Sequence, residues 1–170
     1  MKKLLFLLVV ITLSSCDDGD LQIETIDFDS ITTITTCNTI DIAATNLLFK
    51  INDTEALILE LPANVLKNEI TTETIESNIS ASGPSKLIYR TFSDKATKDY
   101  FCSSVPLTTP TVLEEIIAKN GAVLITTTTE DNITYTHKII LNDITLETSS
   151  SQRITDLSIS DYGDITTTVN

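Results

Sequence analysis

Few residues in this chain are of types that do chemistry, and their spacing limits what they can do. His137 is the only histidine. In Ile133-Thr134-Tyr135-Thr136-His137-Lys138-Ile139 it falls on the strand face of Ile133, Tyr135 and Ile139, which predicts a hydrogen-bonded histidine packed at a sheet margin, not a general base. Without a second histidine, a zinc site or a Cys–His nucleophile lacks its parts. Ser103 and Ser104 follow Cys102 outside any Gly-x-Ser-x-Gly elbow and read as loop. The many carboxylates leave acid-pair hydrolysis open, but the absence of Trp removes the usual sugar-stacking platform. No catalytic, metal or cofactor residue is assigned; a hydrolase of undetected type remains the competing class to a non-enzymatic role.

The three cysteines carry more information. Cys16 closes a leader in which Lys2 and Lys3 precede an apolar run, Leu4 to Leu13, too short to span a bilayer of ~30 Å as a helix. Leu13 stands three residues before Cys16, where ordinary signal cleavage wants a small side chain. The remaining cysteines, Cys37 and Cys102, form an even pair, and in an oxidising compartment a disulfide between them is expected, with two buried thiols as the plain alternative.

Leu13-Ser14-Ser15-Cys16 resembles the bacterial lipobox. That resemblance implies a diacylglyceryl group on Cys16, cleavage of residues 1–15 and acylation of the new amino terminus, the two or more chains needed for stable anchoring. Asp17, Asp18 and Asp20, interrupted by Gly19, resemble the acidic signal that sends Bacteroidota lipoproteins to the outer face of the outer membrane. Together with Asp27-Phe28-Asp29, Cys37, Tyr100 to Pro106, Thr109 to Val112 and Glu114-Glu115, these residues resemble a group of uncharacterised flavobacterial lipoproteins. The resemblance implies an address and an architecture, not an activity. Asp29-Ser30-Ile31 resembles the short O-glycosylation motif of the same phylum. Some relatives are expected to carry calcium repeats, and a calcium-dependent adhesion module stands beside the hydrolase as an alternative reading, but Asp17 to Asp20 and Asp161-Tyr162-Gly163-Asp164 lack the alternating ligands and final Glu of a calcium loop; the second reads as a β turn.

Composition bounds the body that these residues sit on. Cleavage before Cys16 would leave 155 residues, enough for one domain with a real core. The expected organisation is a signal peptide over 1–15, a lipidated tether and first strand over 16–30, and a single β domain over 31–170. The net charge of −13 becomes −15 without Lys2 and Lys3, and no basic cluster offsets it, which excludes nucleic acid as a partner. The mean hydropathy of +0.14 reflects the leader and abundant Ile. The expected partners are the membrane, through the lipid, and an envelope protein or extracellular ligand.

Ile, Val and Thr dominate the chain, a bias that suits pleated half-buried surfaces and predicts an all-β sandwich or open barrel. In Leu47 to Asn52 the two-residue period puts Leu47, Phe49 and Ile51 inward against Lys50 and Asn52. In Ala56 to Leu61 it puts Leu57, Leu59 and Leu61 inward, with Asn52 to Glu55 as a hairpin loop. Further strands are expected at 21–28, 31–37, 70–79, 86–92, 122–129, 133–141, 144–148 and 155–160, and the threonine runs Thr126 to Thr129 and Thr166 to Thr168 also fit strands. One segment reads as a short helix, about 111–119, with Pro110 before it, Glu114 and Glu115 complementing its dipole, and Asn120-Gly121 as its stop. Pro62 to Asn68 reads as a single helical turn.

Overall fold

The structure is a computed structural model that describes residues 25–169. The elements are β1 (Ile26–Asp27), β2 (Thr35–Thr36), β3 (Asn46–Asn52), β4 (Glu55–Leu61), β5 (Ile75–Asn78), β6 (Lys86–Phe92), α1 (Lys98–Cys102), β7 (Val112–Ile117), β8 (Asn120–Thr129), β9 (Thr134–Glu147), β10 (Arg153–Ile154), β11 (Leu157–Ser158) and β12 (Asp161–Thr168). One five-stranded antiparallel sheet runs β2-β3-β4-β6-β7; a second joins β10 and β12 to β9, then β8 and β5; β1 and β11 form a short parallel pair. The fold is all-β, sandwich-like and not closed into a barrel, as composition implied.

The main core takes Leu48, Leu57, Leu59, Leu61, Leu87, Tyr89 and Ile116 from the first sheet and Val123, Ile125, Ile139, Leu141, Tyr162 and Ile165 from the second. β4 shows why the first sheet is so apolar. Its odd residues enter this core, as the period predicted, while Ala56 and Ile58 on the opposite face are also buried, in a smaller core with Phe49, Phe92 and Ala96. That outer core is roofed by α1, whose Phe101 stacks on Phe49 at 4.5 Å and whose Tyr100 meets Phe92 edge-on at 5.0 Å. The helix is therefore held by ring burial on a sheet face. Thr97, at its N-cap position, makes no side-chain capping bond.

Six expectations are corrected. The segment 111–119 is not a helix: β7 occupies it, paired with β6 from Val112↔Phe92 to Ile117↔Ile88. Its Val and Ile favour the pleat, and pairing with β6 overrides the weak helical signal of Pro110 and the glutamates. Asn120-Gly121 is not a stop but a bulge where β8 meets β9. Gly121 sits at φ 141°, a Cβ there would lie 2.5 Å from Ile144 Cδ1, and Asp143 takes φ 52° on the facing strand. In β3 the period is right and the sign reversed: Leu48 and Lys50 face the main core, while Phe49 and Ile51 join the outer one. Asp161 to Asp164 is strand, with a bulge between Asp161 and Gly163, and not a turn. The segment 62–68 holds turns but no helix, with Asn64 at φ 65°. The expected strands at 133–141 and 144–148 are a single 14-residue β9 bent at the bulge.

Candidate functional site

Each buried polar group in the described body is committed to structure. Cys37, just past β2, and Cys102, at the end of α1, form a disulfide with Cα atoms 5.2 Å apart. It ties the roof of the outer core to the sheet edge beneath it. His137 lies on the inner face of β9, fully buried and not at a margin. Its Nδ1 meets Thr127 Oγ1 at 2.8 Å and its Nε2 meets Thr167 Oγ1 at 2.7 Å. Thr167 donates its own proton to Asn68 Oδ1, so Nε2 carries the ring hydrogen and Nδ1 accepts from Thr127. Burial holds the His137 pKa below the ordinary 6.5 and keeps the ring neutral. The row continues beyond Thr127, whose amide donates to Thr71 Oγ1 at 2.9 Å. This histidine positions hydroxyls across three strands and touches no open cleft.

Lys50 is the polar group that the sequence pattern placed outside. It is 1% exposed, with Nζ donating to Phe28 O and Asp161 O, both at 2.8 Å, and lying 5.5 Å from the centre of the Tyr162 ring. Burial lowers its pKa; the charges of Asp29, Asp161 and Asp27 oppose that effect. Asp29 in turn accepts from the Asp161 amide at 2.8 Å. The acidic residues around β1 and the start of β12 thus balance a buried ammonium. Among the described residues no three His, Cys, Asp or Glu side chains gather where a metal ion could sit.

An open groove lies at one end of the sandwich. Three adjoining clefts of about 390, 460 and 340 Å³ share lining residues: Thr39, Ile40 and Asp41 line the first two, Ile42 and Asn68 the second and third. Their walls come from the segment between β2 and β3, the segment after β4, and the end of β12. The first wall is rigid: the Asn46 side chain exchanges hydrogen bonds with the Asp41 backbone at 3.0 and 2.7 Å, and Asp41 caps the Ala43 amide. Asn68 and Thr167, at the open end of the His137 row, form the floor of the middle cleft. Threonine and asparagine dominate the lining, with Asp41, Lys67 and Glu69 as its charges. Such a groove offers neutral hydrogen bonds on a fixed frame, and it holds no nucleophile with an adjacent base.

The groove and the beginning of the described chain stand at opposite ends of β3. The groove is lined by Asn46 and Leu47, at the strand's start. The chain's first segment is bonded to its finish, with Asn52 Nδ2 donating to Asp27 O at 3.5 Å. Six residue steps of a strand separate them, roughly 20 Å.

Of the residues singled out in the sequence, Cys16, Asp17, Asp18 and Asp20 lie outside the described residues. Cys37 and Cys102 are brought together. Glu114 and Glu115 belong to β7, where Glu115 pairs with Arg90 Nε at 2.5 Å. Ser103 and Ser104 are exposed loop. Within each threonine run one hydroxyl, on Thr127 and on Thr167, is buried on His137, and the flanking threonines face out. The groove was missed: its side chains come from three distant segments, and only the turn-rich composition of 38–46 and 62–74 hinted at shaped loops. No protein-family model, curated protein or solved structure matches this chain.

Proposed function

We propose that the protein is an envelope lipoprotein of the flavobacterial kind. Cys16 carries the lipid, Asp17, Asp18 and Asp20 direct the protein to the outer membrane and its outer surface, and the sandwich serves a non-enzymatic binding or structural role. The observation that carries this reading is the polarity of the body. The first described segment is bonded at the Asn52–Glu55 end, and the loop-walled groove lies at the far end of the same strands. A body hung from its amino terminus would hold that groove away from the bilayer, toward an envelope partner or an extracellular ligand. The disulfide supports an oxidising compartment. A lining mostly of threonine and asparagine and a sealed histidine favour binding over turnover.

Fractionation of cells carrying Cys16→Ala tests the anchor. The wild-type protein is expected in the outer membrane and the variant in soluble fractions; a variant that stays membrane-bound at wild-type levels refutes it. Protease shaving of intact cells tests the address, with loss of the wild-type band expected and full protection against it.

A further inference from the structure

A strand whose outer side bonds to nothing is a template for another chain, and proteins blunt such edges with lysine, proline, bulges or short length. Most edges of the two sheets are blunted in these ways. β2, β5 and β10 are very short, and β7 carries Glu114 and Glu115 with Pro110 before it and Lys119 after it. β12 is 8 residues long and pairs with β9 on one side only. From Gly163 to Val169 it has no bulge, lysine or proline, and its one charge is Asp164. Its register says which backbone groups are free. Val169 N donates to Ile133 O, so residues 163, 165, 167 and 169 make the hydrogen-bonded pairs with β9. Asp164, Thr166 and Thr168 therefore turn their amides and carbonyls away from β9, and none of these groups has a partner among the described residues.

The middle cleft lies against the end of this edge. Thr168 and Val169 stand on one side of it, Ile40 and Asp41 on the other, with Asn68 between them. Thr167 occupies Asn68 Oδ1, and Asn68 Nδ2 has no partner among the described residues, so the amide offers its donors to the cleft. We infer that the cleft receives an extended segment of a partner protein, which adds to β12 as a further strand while Asn68 Nδ2 donates to one of its carbonyls. This rests on the binding role proposed above and names its partner. An extended main chain repeats donor and acceptor at the two-residue interval of Thr166 and Thr168, which selects a peptide over a saccharide. Ile40 and Ile42 pack against the main core and offer apolar contact to one face of the guest strand. Asp41 and Asp164 are exposed and the net charge is −13, so the guest segment lacks acids and gains from a lysine or arginine. The same charge opposes the pairing of two β12 edges.

A random octapeptide library panned against the full chain as purified from cells, in detergent, tests the assignment, with selected peptides resynthesised for calorimetry and amide exchange. Selected sequences should lack Asp, Glu and Pro, alternate β-branched residues, and slow exchange at the Thr166 and Thr168 amides. N-methylating every second peptide amide should abolish binding in one phase and spare it in the other, because only alternate residues of a guest strand bond the edge. Thr166→Pro removes an amide that the fold itself does not use, and Asn68→Asp keeps the acceptor for Thr167 while losing the Nδ2 donors. Each should weaken binding by about fivefold to tenfold, with melting unchanged. No selection above bare matrix, no slowing at Thr166 and Thr168, or equal tolerance of both methylation phases overturns the inference, whether or not the variants fold. Edge amides already slow without peptide also overturn it. Release of those amides on dilution would assign the edge to a second copy, and release on deleting residues 16–24 to the chain's own start. Peptide that slows the edge amides and is recovered cleaved supports strand addition and overturns the non-enzymatic reading.

Discussion

Replacing Lys50 by methionine removes a buried ammonium while keeping much of the volume of its apolar stem. The side chain is 1% exposed, and its two hydrogen bonds satisfy Phe28 O and Asp161 O. Stranding two buried acceptors costs about 1–3 kcal/mol each, hence about 2–6 kcal/mol together. Against this, the variant no longer buries a charge, and the lowered pKa of Lys50 shows that burial outweighs the attraction of Asp29, Asp161 and Asp27. The difference leaves a net destabilisation of about 2–3 kcal/mol, to be read as a lower urea midpoint with an unchanged slope. The pH dependence separates this account from simple misfit. A folded pKa below the ordinary 10.5 means that between the two values the unfolded chain holds the extra proton. Wild-type stability therefore gains from this group as pH rises through that window toward 10.5, and the methionine variant lacks the gain. Hydrogen exchange should rise first in β1 and at the start of β12, the two segments that Lys50 ties. A Lys50→Met protein as stable as wild type would refute the reasoning, because its two carbonyls would then need no donor.

Other outcomes follow from the same geometry. Cys37→Ser with Cys102→Ser opens a loop with a sequence separation of 65 and should lower stability by about 4 kcal/mol on the chain-entropy model, measured by urea unfolding; a loss under about 1 kcal/mol would contradict it. His137, with its folded pKa below the ordinary 6.5, contributes nothing above that value and withdraws stability as pH falls through 6.5 toward the folded pKa, by at most about 1.4 kcal/mol per pH unit. Melting of wild type and His137→Gln between pH 7.5 and 5 should show the steeper acid loss in wild type only. Gly121→Ala forces a Cβ to 2.5 Å from Ile144 Cδ1 at φ 141° and should cost about 1–3 kcal/mol, while Gly83→Ala, without the positive φ but 2.7 Å from Ser80 Oγ and 3.0 Å from its backbone N, should cost less in the same thermal assay.

Periodicity carried the fold class and most strand positions, because alternation and β-branching are local signals. It failed where the deciding contact was distant. Leu47 to Asn52 alternates cleanly, yet nothing in six residues says which face meets the larger core when both faces of a sheet are covered. The roof over Phe49 is supplied by Phe101, far along the chain. Lys50 read as solvent-facing for the same reason: its acceptors belong to β12 and to the segment after β1. Pro, Glu and Gly at helical positions point to a helix over 111–119, whereas Lys98–Cys102 is too short for a period and is held by aromatic packing and by the disulfide at Cys102. The Cys37–Cys102 pair is legible from cysteine number and the export that the leader implies. The groove was not, since its walls meet only after the sheets have formed.

The buried lysine also bears on how the first described segment is held. Phe28, whose carbonyl accepts from Lys50, belongs to that segment, and Asp29 next to it accepts hydrogen bonds from both Ser160 and Asp161. The segment is therefore bonded across both sheets, to β3 through Lys50 and to β12 through Asp29. Lys50→Met removes the first of these bonds and leaves the second, so its consequence extends past the urea midpoint: the segment loosens from β3 while it stays on β12.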